Sequence, residues 1–411
     1  MARRAKIVCT LGPATAGADR LRELVEAGMD VARLDLGHGT PVEHAATYHL
    51  VREVAARAGR TVGVLADLRG PRIRFGQRAT GAALAEQRAA DLRFALGLGV
   101  DLLALPFVTS PEDVEVAHQV MEELSVWRPV LAKLETPAAV RHLDAIVAAF
   151  DGVVVARDEL GVELPLDEIP LVQKRAIRRC RELAKPVVVA AQLLDSMVEQ
   201  SRPTRAEASD VANAVLDGAD ALLLAAETSV GAFPVPAVRM MARIIATAEE
   251  NGVAGDGGPP TGSAGNVDAI TAAAAEVAQS LTVGAICCFT RSGATARQLA
   301  RHQPTVPLLA FTPDRAVPAQ LSLTWGVETF TMPVVVHTDE MVQQVQDVLL
   351  SLDRFQIGDL VLIVAGSPPG LPGSTNTMRL LRLGDRVMAR PPVHAAVRLA
   401  RQAAPSPEPV P

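Results

Sequence analysis

Short apolar runs rich in Val, Leu and Ala alternate with longer amphipathic stretches up to about residue 250, and this alternation most constrains the fold. The runs begin near Lys6 (KIVCTL), Val31 (VARLDL), Thr61 (TVGVLADL) and Asp101 (DLLALPFV). They continue near Pro129 (PVLAKLE), Gly152 (GVVVARDEL), Pro186 (PVVVAAQLL) and Ala221 (ALLLAAE). Each is near-continuously apolar, as a strand buried on both faces of a parallel sheet must be. Between them lie helical patterns such as Ala18 to Ala27 and Ser209 to Leu216. The second is introduced by Thr204-Arg-Ala-Glu207, a capping box in which hydroxyl and carboxylate satisfy backbone donors of the first turn. Eight strand–helix units in succession point to an α/β fold built on a closed (β/α)8 TIM barrel over residues 1–251.

A Gly-rich polar segment, 252–265, breaks the pattern and reads as a linker. The alternation then restarts over 266–388: a helix from Val267, then strands at AICCFT, PLLAFT, VETFTM and DLVLIVAG. That is a second, smaller α/β domain, and at 411 residues the chain is too long for one core. Residues 389–411, rich in Pro and Ala, are expected to be disordered. Net charge −6 and a pI near 5.8 argue against nucleic acid or an anionic membrane as the main partner. The basic start has no apolar segment behind it, and no apolar run approaches a membrane span. Four cysteines without a C-x-x-C pair read as reduced core residues, so a cytoplasmic location is expected.

Polar residues cluster where the barrel strands end, the face that hosts active sites in such barrels. The second run ends with Arg33, Asp35, Gly37 and His38, and the third with Asp67, Leu68, Arg69, Arg72 and Arg74. The fifth ends with Lys133 and Glu135, the sixth with Arg157, Asp158 and Glu159, the seventh with Gln192 and the eighth with Glu227. Any one of these has a structural explanation as a solvated or ion-paired rim residue. Two carboxylates one strand apart, Glu135 and Glu159, beside a Lys and several Arg suit a divalent metal holding an anionic, oxygen-rich ligand.

Several segments resemble motifs of the pyruvate kinase family, in the family's order. They are IVCTLGPA at Ile7, RLDLGHG at Arg33, DLRGPRIR at Asp67, AKLE at Ala132, ARDELGVE at Ala156 and AAQLLDSM at Ala190. RPTRAEASDVANAVLDGADALLLAAET at Arg202 and TRSGATA at Thr290 complete the set, which spans about residues 5 to 385. The resemblance implies a homo-oligomer, a tetramer or dimer, that moves the phosphoryl group of phosphoenolpyruvate to ADP with Mg²⁺ or Mn²⁺ and, usually, K⁺. It implies that Arg33 clamps the transferring phosphoryl group and that Lys133 stabilises enolate and phosphoryl oxygens. Glu135 matches a metal carboxylate, Glu159 stands where the family has a second one, an Asp, and Arg74 matches a catalytic Arg.

Departures from the family's pattern are equally specific. The lid domain inserted after the third strand has no equivalent, and a short connection near 76–86 replaces it. Asp158 replaces a Gly whose backbone N–H helps hold the substrate carboxylate, and Ala191 replaces a Thr near the enol carbon. Around the family's K⁺ site, which involves Asp67 and Leu68, Asp35 and Gly37 replace Asn and Ser, and Arg72 replaces a Glu. An Arg72–Asp35 pair would supply a permanent positive charge, so K⁺ is not expected to be required. In the second domain Thr290, Ser292, Gly293 and Thr295 resemble the family's effector-phosphate loop, though a capped helix start accounts for them as well. Three readings stay open: a lidless pyruvate kinase, a metal-dependent lyase (aldolase or keto-acid decarboxylase) working through a pyruvate-type enolate, and a non-catalytic regulatory paralogue.

Overall fold

The computed structural model describes residues 3–70, 73–74, 77–78, 81–251, 265–335, 337–366 and 375–385. Eight parallel strands close into a barrel in chain order. They are β1 (Lys6–Thr10), β2 (Val31–Asp35), β3 (Gly63–Asp67), β4 (Leu102–Leu105), β5 (Val130–Leu134), β6 (Gly152–Ala156), β7 (Val187–Ala190) and β8 (Ala221–Leu224). β8 pairs back onto β1, with Lys6 opposite Ala221. Each apolar run supplies one strand. Val8, Val31, Leu65, Leu131, Val154 and Val188 fill the barrel in one buried cluster, while Ile7, Ala32, Val64, Ala132, Val153 and Val189 pack outward with the helices in another. This is the period-two alternation of a strand buried on both faces.

The lower rim is tied by a fourfold device. Asp30, Asp101, Asp151 and Asp220 each stand one residue before an even-numbered strand. Each carboxylate accepts a backbone N–H from the odd-numbered strand before it: Ile7 at 2.8 Å, Val64 at 2.7 Å, Val130 at 2.9 Å and Val187 at 3.0 Å. These bonds satisfy strand-end donors that would otherwise lie part-buried without a partner. The second domain closes the same end. Its Leu323 joins the barrel's interior cluster, and Trp325 N–H donates to Asp220 Oδ1 at 3.0 Å. Gly63 makes the contact feasible, because a Cβ there would meet Ala319 O at 2.8 Å.

The second domain is a five-stranded sheet of β9 (Ile286–Phe289), β10 (Leu308–Thr312), β11 (Val327–Thr331), β12 (Leu360–Gly366) and β13 (Thr375–Arg382). The order is β11-β10-β9-β12-β13, with β13 antiparallel to β12. The sequence reading found the first four strands only. β13 is an edge strand with most side chains exposed, so it carries no apolar run. The helix after Thr204 spans Arg205–Leu216, and both halves of its capping box form. All four cysteines are buried and free, and burial pushes every thiol up. No described helix is long and apolar enough to cross a membrane. Arg72, most of the expected linker (252–264) and the tail 389–411 lie outside the described residues, and Arg74 is described in its backbone only.

Candidate active site

Strand parity places the site. Thr10, Arg33, Asp67 and Lys133 each lie two residues beyond an interior residue, namely Val8, Val31, Leu65 and Leu131. Side chains two apart share a face, so all four project into the barrel at its carboxyl end. The Arg33 guanidinium reaches Asp67 Oδ2 through Nε at 2.8 Å and Nη2 at 2.6 Å, Thr10 Oγ1 at 3.0 Å and Asp35 Oδ2 at 3.3 Å. Lys133 Nζ lies 3.3 Å from Asp67 Oδ2 and 2.7 Å from Glu135 Oε1. Asp67 and Glu135 are only 3% and 2% exposed, so their charges interact in a poorly screened environment. Burial works against the charge on Lys133, but Asp67 and Glu135 outweigh it and hold the ammonium firmly protonated. The same balance, with Asp67 and Asp35, keeps Arg33 charged.

Glu159 faces this cluster from the first turn of the helix Arg157–Glu163, which follows β6 directly. Burial, a hydrogen bond with Asp158 and the nearby Asp158 and Glu135 carboxylates push Glu159 up to about 8, against the pull of Lys133. Asp158 itself is exposed, and its Oδ1 accepts the Glu159 N–H at 2.9 Å. Arg157 is engaged in holding the rim rather than in the Arg33–Asp67–Lys133–Glu135 network. It binds Asp210 at 2.7 Å and the Ala191 carbonyl at 2.7 Å, bracing a bend where Ala191 and Gln192 have φ of 73° and 53°. Ala191 is buried at that bend.

Other rim residues have structural partners. Asp35 accepts from Gly37 N–H at 2.9 Å and lies 3.1 Å from His38 Nδ1, as well as binding Arg33. Arg69 turns away to Asp91 on the helix Gly81–Leu98, at 2.9 Å. Leu68 is buried and extends the strand pairing, its N–H on Ala104 O at 3.0 Å. Glu227 is buried and accepts the N–H groups of Leu194 and Ala225, so it braces the β7 and β8 ends. The sequence reading missed Thr10 and Phe107. Phe107 N–H donates to Glu135 Oε2 at 2.5 Å, a backbone donor that no residue type announces.

Family profiles described as "Pyruvate kinase, barrel domain" and "Pyruvate kinase, alpha/beta domain" match residues 2–83 with 76–238, and 268–381. The chain belongs to the pyruvate kinase family. The pyruvate kinase of Mycobacterium tuberculosis (strain ATCC 25618 / H37Rv) is 46% identical over 472 positions, covering 94% of this chain and 99% of that one. Those of Corynebacterium glutamicum and Geobacillus stearothermophilus are 45% and 34% identical, each over 94% of this chain and over 98% and 81% of their own. For the mycobacterial relative, 94% of 411 residues is about 386, which leaves about 86 of the 472 aligned positions without a counterpart here.

Pyruvate kinases depend on a divalent metal, and the mouth suits one. Among the described residues no three His, Cys, Asp or Glu side chains form a metal site by themselves. A hard cation such as Mg²⁺ needs only one or two carboxylates when substrate oxygens and water complete its shell. Glu135 and Glu159 offer such a pair, and Asp67 Oδ1 is a buried acceptor with no partner in the same cluster. In the second domain, Thr290, Ser292 and Thr295 line a cleft of about 770 Å³ with Arg291, Arg315 and Val334. Gly293, with φ of 83°, precedes the helix Ala294–Ala300, and Thr295 Oγ1 is 2.8 Å from Thr375 Oγ1.

Proposed function

We propose that the protein transfers the phosphoryl group of phosphoenolpyruvate to ADP, giving pyruvate and ATP, at the carboxyl end of its barrel. The observation that carries this reading is the buried Arg33–Asp67–Lys133–Glu135 network with Glu159 beside it. Arg33 and Lys133 are fixed cations aimed where negative charge develops on phosphoryl and enolate oxygens, and they need no reorganisation at the moment of reaction. Glu135 and Glu159 are the residues that hold Mg²⁺ or Mn²⁺, which when bound neutralises phosphoryl oxygens. Arg74 belongs to the same reading by its place in the family motif.

The reading includes loss of the lid. About 86 positions of the mycobacterial relative are unmatched, the two barrel-profile matches meet at residues 76–83, and a ribbon of Ile73–Arg74 with Gln77–Arg78 stands after β3. It also includes independence from K⁺, on the ground that Asp35, Gly37 and Arg72 stand where the family has its monovalent-cation Asn and Ser and a nearby Glu. The cleft at Thr290–Thr295 is assigned to a phosphorylated effector.

The metal site is tested by calorimetric titration of Mn²⁺ into the parent, Glu135→Gln and Glu159→Gln. Each substitution is expected to weaken binding at least tenfold, about 1.4 kcal/mol. Parent-like affinity in both variants would reduce the two carboxylates to rim residues.

A further inference from the structure

Arg88 lies on the helix Gly81–Leu98 with only 5% of its surface exposed, away from the mouth cluster. Its Nη1 pairs with Asp113 Oδ1 at 2.8 Å, and its Nη2 donates to the carbonyls of Pro106 at 2.8 Å and Phe107 at 3.1 Å. Asp113 in turn accepts the N–H groups of Thr109 at 2.8 Å and Ser110 at 3.1 Å. One guanidinium therefore ties both ends of the Pro106–Ser110 turn that follows β4.

That turn reaches the active site through Phe107 N–H, which donates to Glu135 Oε2. Phe107 has φ of 50°, a left-handed conformation that a bulky residue keeps only when its surroundings enforce it. Arg88 does so from one side. From the other, Gly70 leaves room for the ring, since a Cβ there would come within 3.0 Å of Phe107 Cε2. Stability alone gives little reason to keep a buried charge here, because well-packed apolar groups serve as well. A planar fork that reaches two successive carbonyls and a carboxylate together gives a geometric reason, and an ammonium cannot reproduce it.

We propose that Arg88 is a positioning residue for Glu135. It fixes the Phe107 peptide, which holds Glu135 Oε2 and leaves Oε1 facing Lys133 and the mouth. The inference rests on the reading of Glu135 as a metal carboxylate. Partners of this kind, one shell beyond a ligand, typically change metal affinity about 10- to 100-fold when substituted.

The experiment titrates Mn²⁺ alone into the full chain and its Arg88→Lys, Glu135→Gln and Arg93→Lys variants, with far-UV spectra and thermal midpoints recorded in parallel. Arg93 sits on the same helix in an exposed ion pair with Glu123 and is the control. Arg88→Lys is expected to fold and to bind Mn²⁺ about tenfold more weakly, with Arg93→Lys unchanged. A folded Arg88→Lys with parental affinity overturns the proposal, provided Glu135→Gln binds weakly. Parental affinity in Glu135→Gln overturns the metal reading, and this inference with it. Should Arg88→Lys not fold, Asp113→Asn carries the test by removing the ionic anchor of the turn. A folded Asp113→Asn that keeps full affinity overturns the proposal, and a loss of about threefold or more supports it.

Discussion

At the residue scale, Asp158 changes what the helix Arg157–Glu163 can offer an anion. The Glu159 N–H is occupied by Asp158 Oδ1, and the added carboxylate holds Glu159 near 8 by hydrogen bond and repulsion, on top of burial. Replacing it by Gly frees the donor and removes a negative charge from the rim. Asp158→Gly is therefore expected to lower KM for phosphoenolpyruvate about tenfold, or about 1.4 kcal/mol, in steady-state assays. A KM equal to or above the parent's would show that the exposed carboxylate does not affect the substrate. Arg33, Asp67, Lys133 and Glu135 were legible in the sequence because strand parity and the motif both place them. The Arg33–Asp35 contact was not, since two residues apart on one strand form no pattern that announces a pair, and the expected Arg72–Asp35 pair lies outside the described residues.

At the element scale, the aspartates below the barrel show what the sequence displayed and the reading passed over. Gly28-Met-Asp30, Gly99-Val-Asp101 and Gly218-Ala-Asp220 repeat before three even strands, and Asp151 fills the fourth place. Their partners are backbone N–H groups about twenty to forty residues earlier, so the spacing appears only once the barrel closes. Burial pushes Asp220 up to about 6 although Trp325 and Val187 N–H groups pull the other way. The folded value lies above the usual carboxylate value of about 3.9, so its contribution to stability is complete below pH ~4 and is lost as pH rises through ~6. Urea unfolding of the parent and Asp220→Asn should show the parent's advantage shrinking by about 2 kcal/mol between pH 4 and 7. A constant difference would mean that Asp220 titrates normally. β13 was illegible for a simpler reason: an edge strand exposed along most of its length has no apolar run to find.

At the scale of the whole molecule, the barrel is sealed below by Leu323 of the second domain, and chemistry is confined to the upper mouth. With Asp35, Gly37 and Arg72 in place of the family's Asn, Ser and Glu, the proposed chemistry does not depend on a monovalent cation. Activity in K⁺, Na⁺ and a bulky organic cation at matched ionic strength is expected to agree within about twofold, less than 0.5 kcal/mol. Strong activation by K⁺ alone would contradict that. If the lid is lost as proposed, nothing closes over nucleotide to exclude water, and ADP affinity is expected to be about millimolar, or ~4 kcal/mol, so assays need ADP above that level. The most direct test of the central claim is pyruvate formation from phosphoenolpyruvate by the purified full chain with Mg²⁺, with and without ADP. Turnover is expected to require ADP, to yield one ATP per pyruvate and to be abolished in Lys133→Met. No ADP-dependent pyruvate from folded, Mn²⁺-binding protein would contradict it, as would equal turnover without ADP.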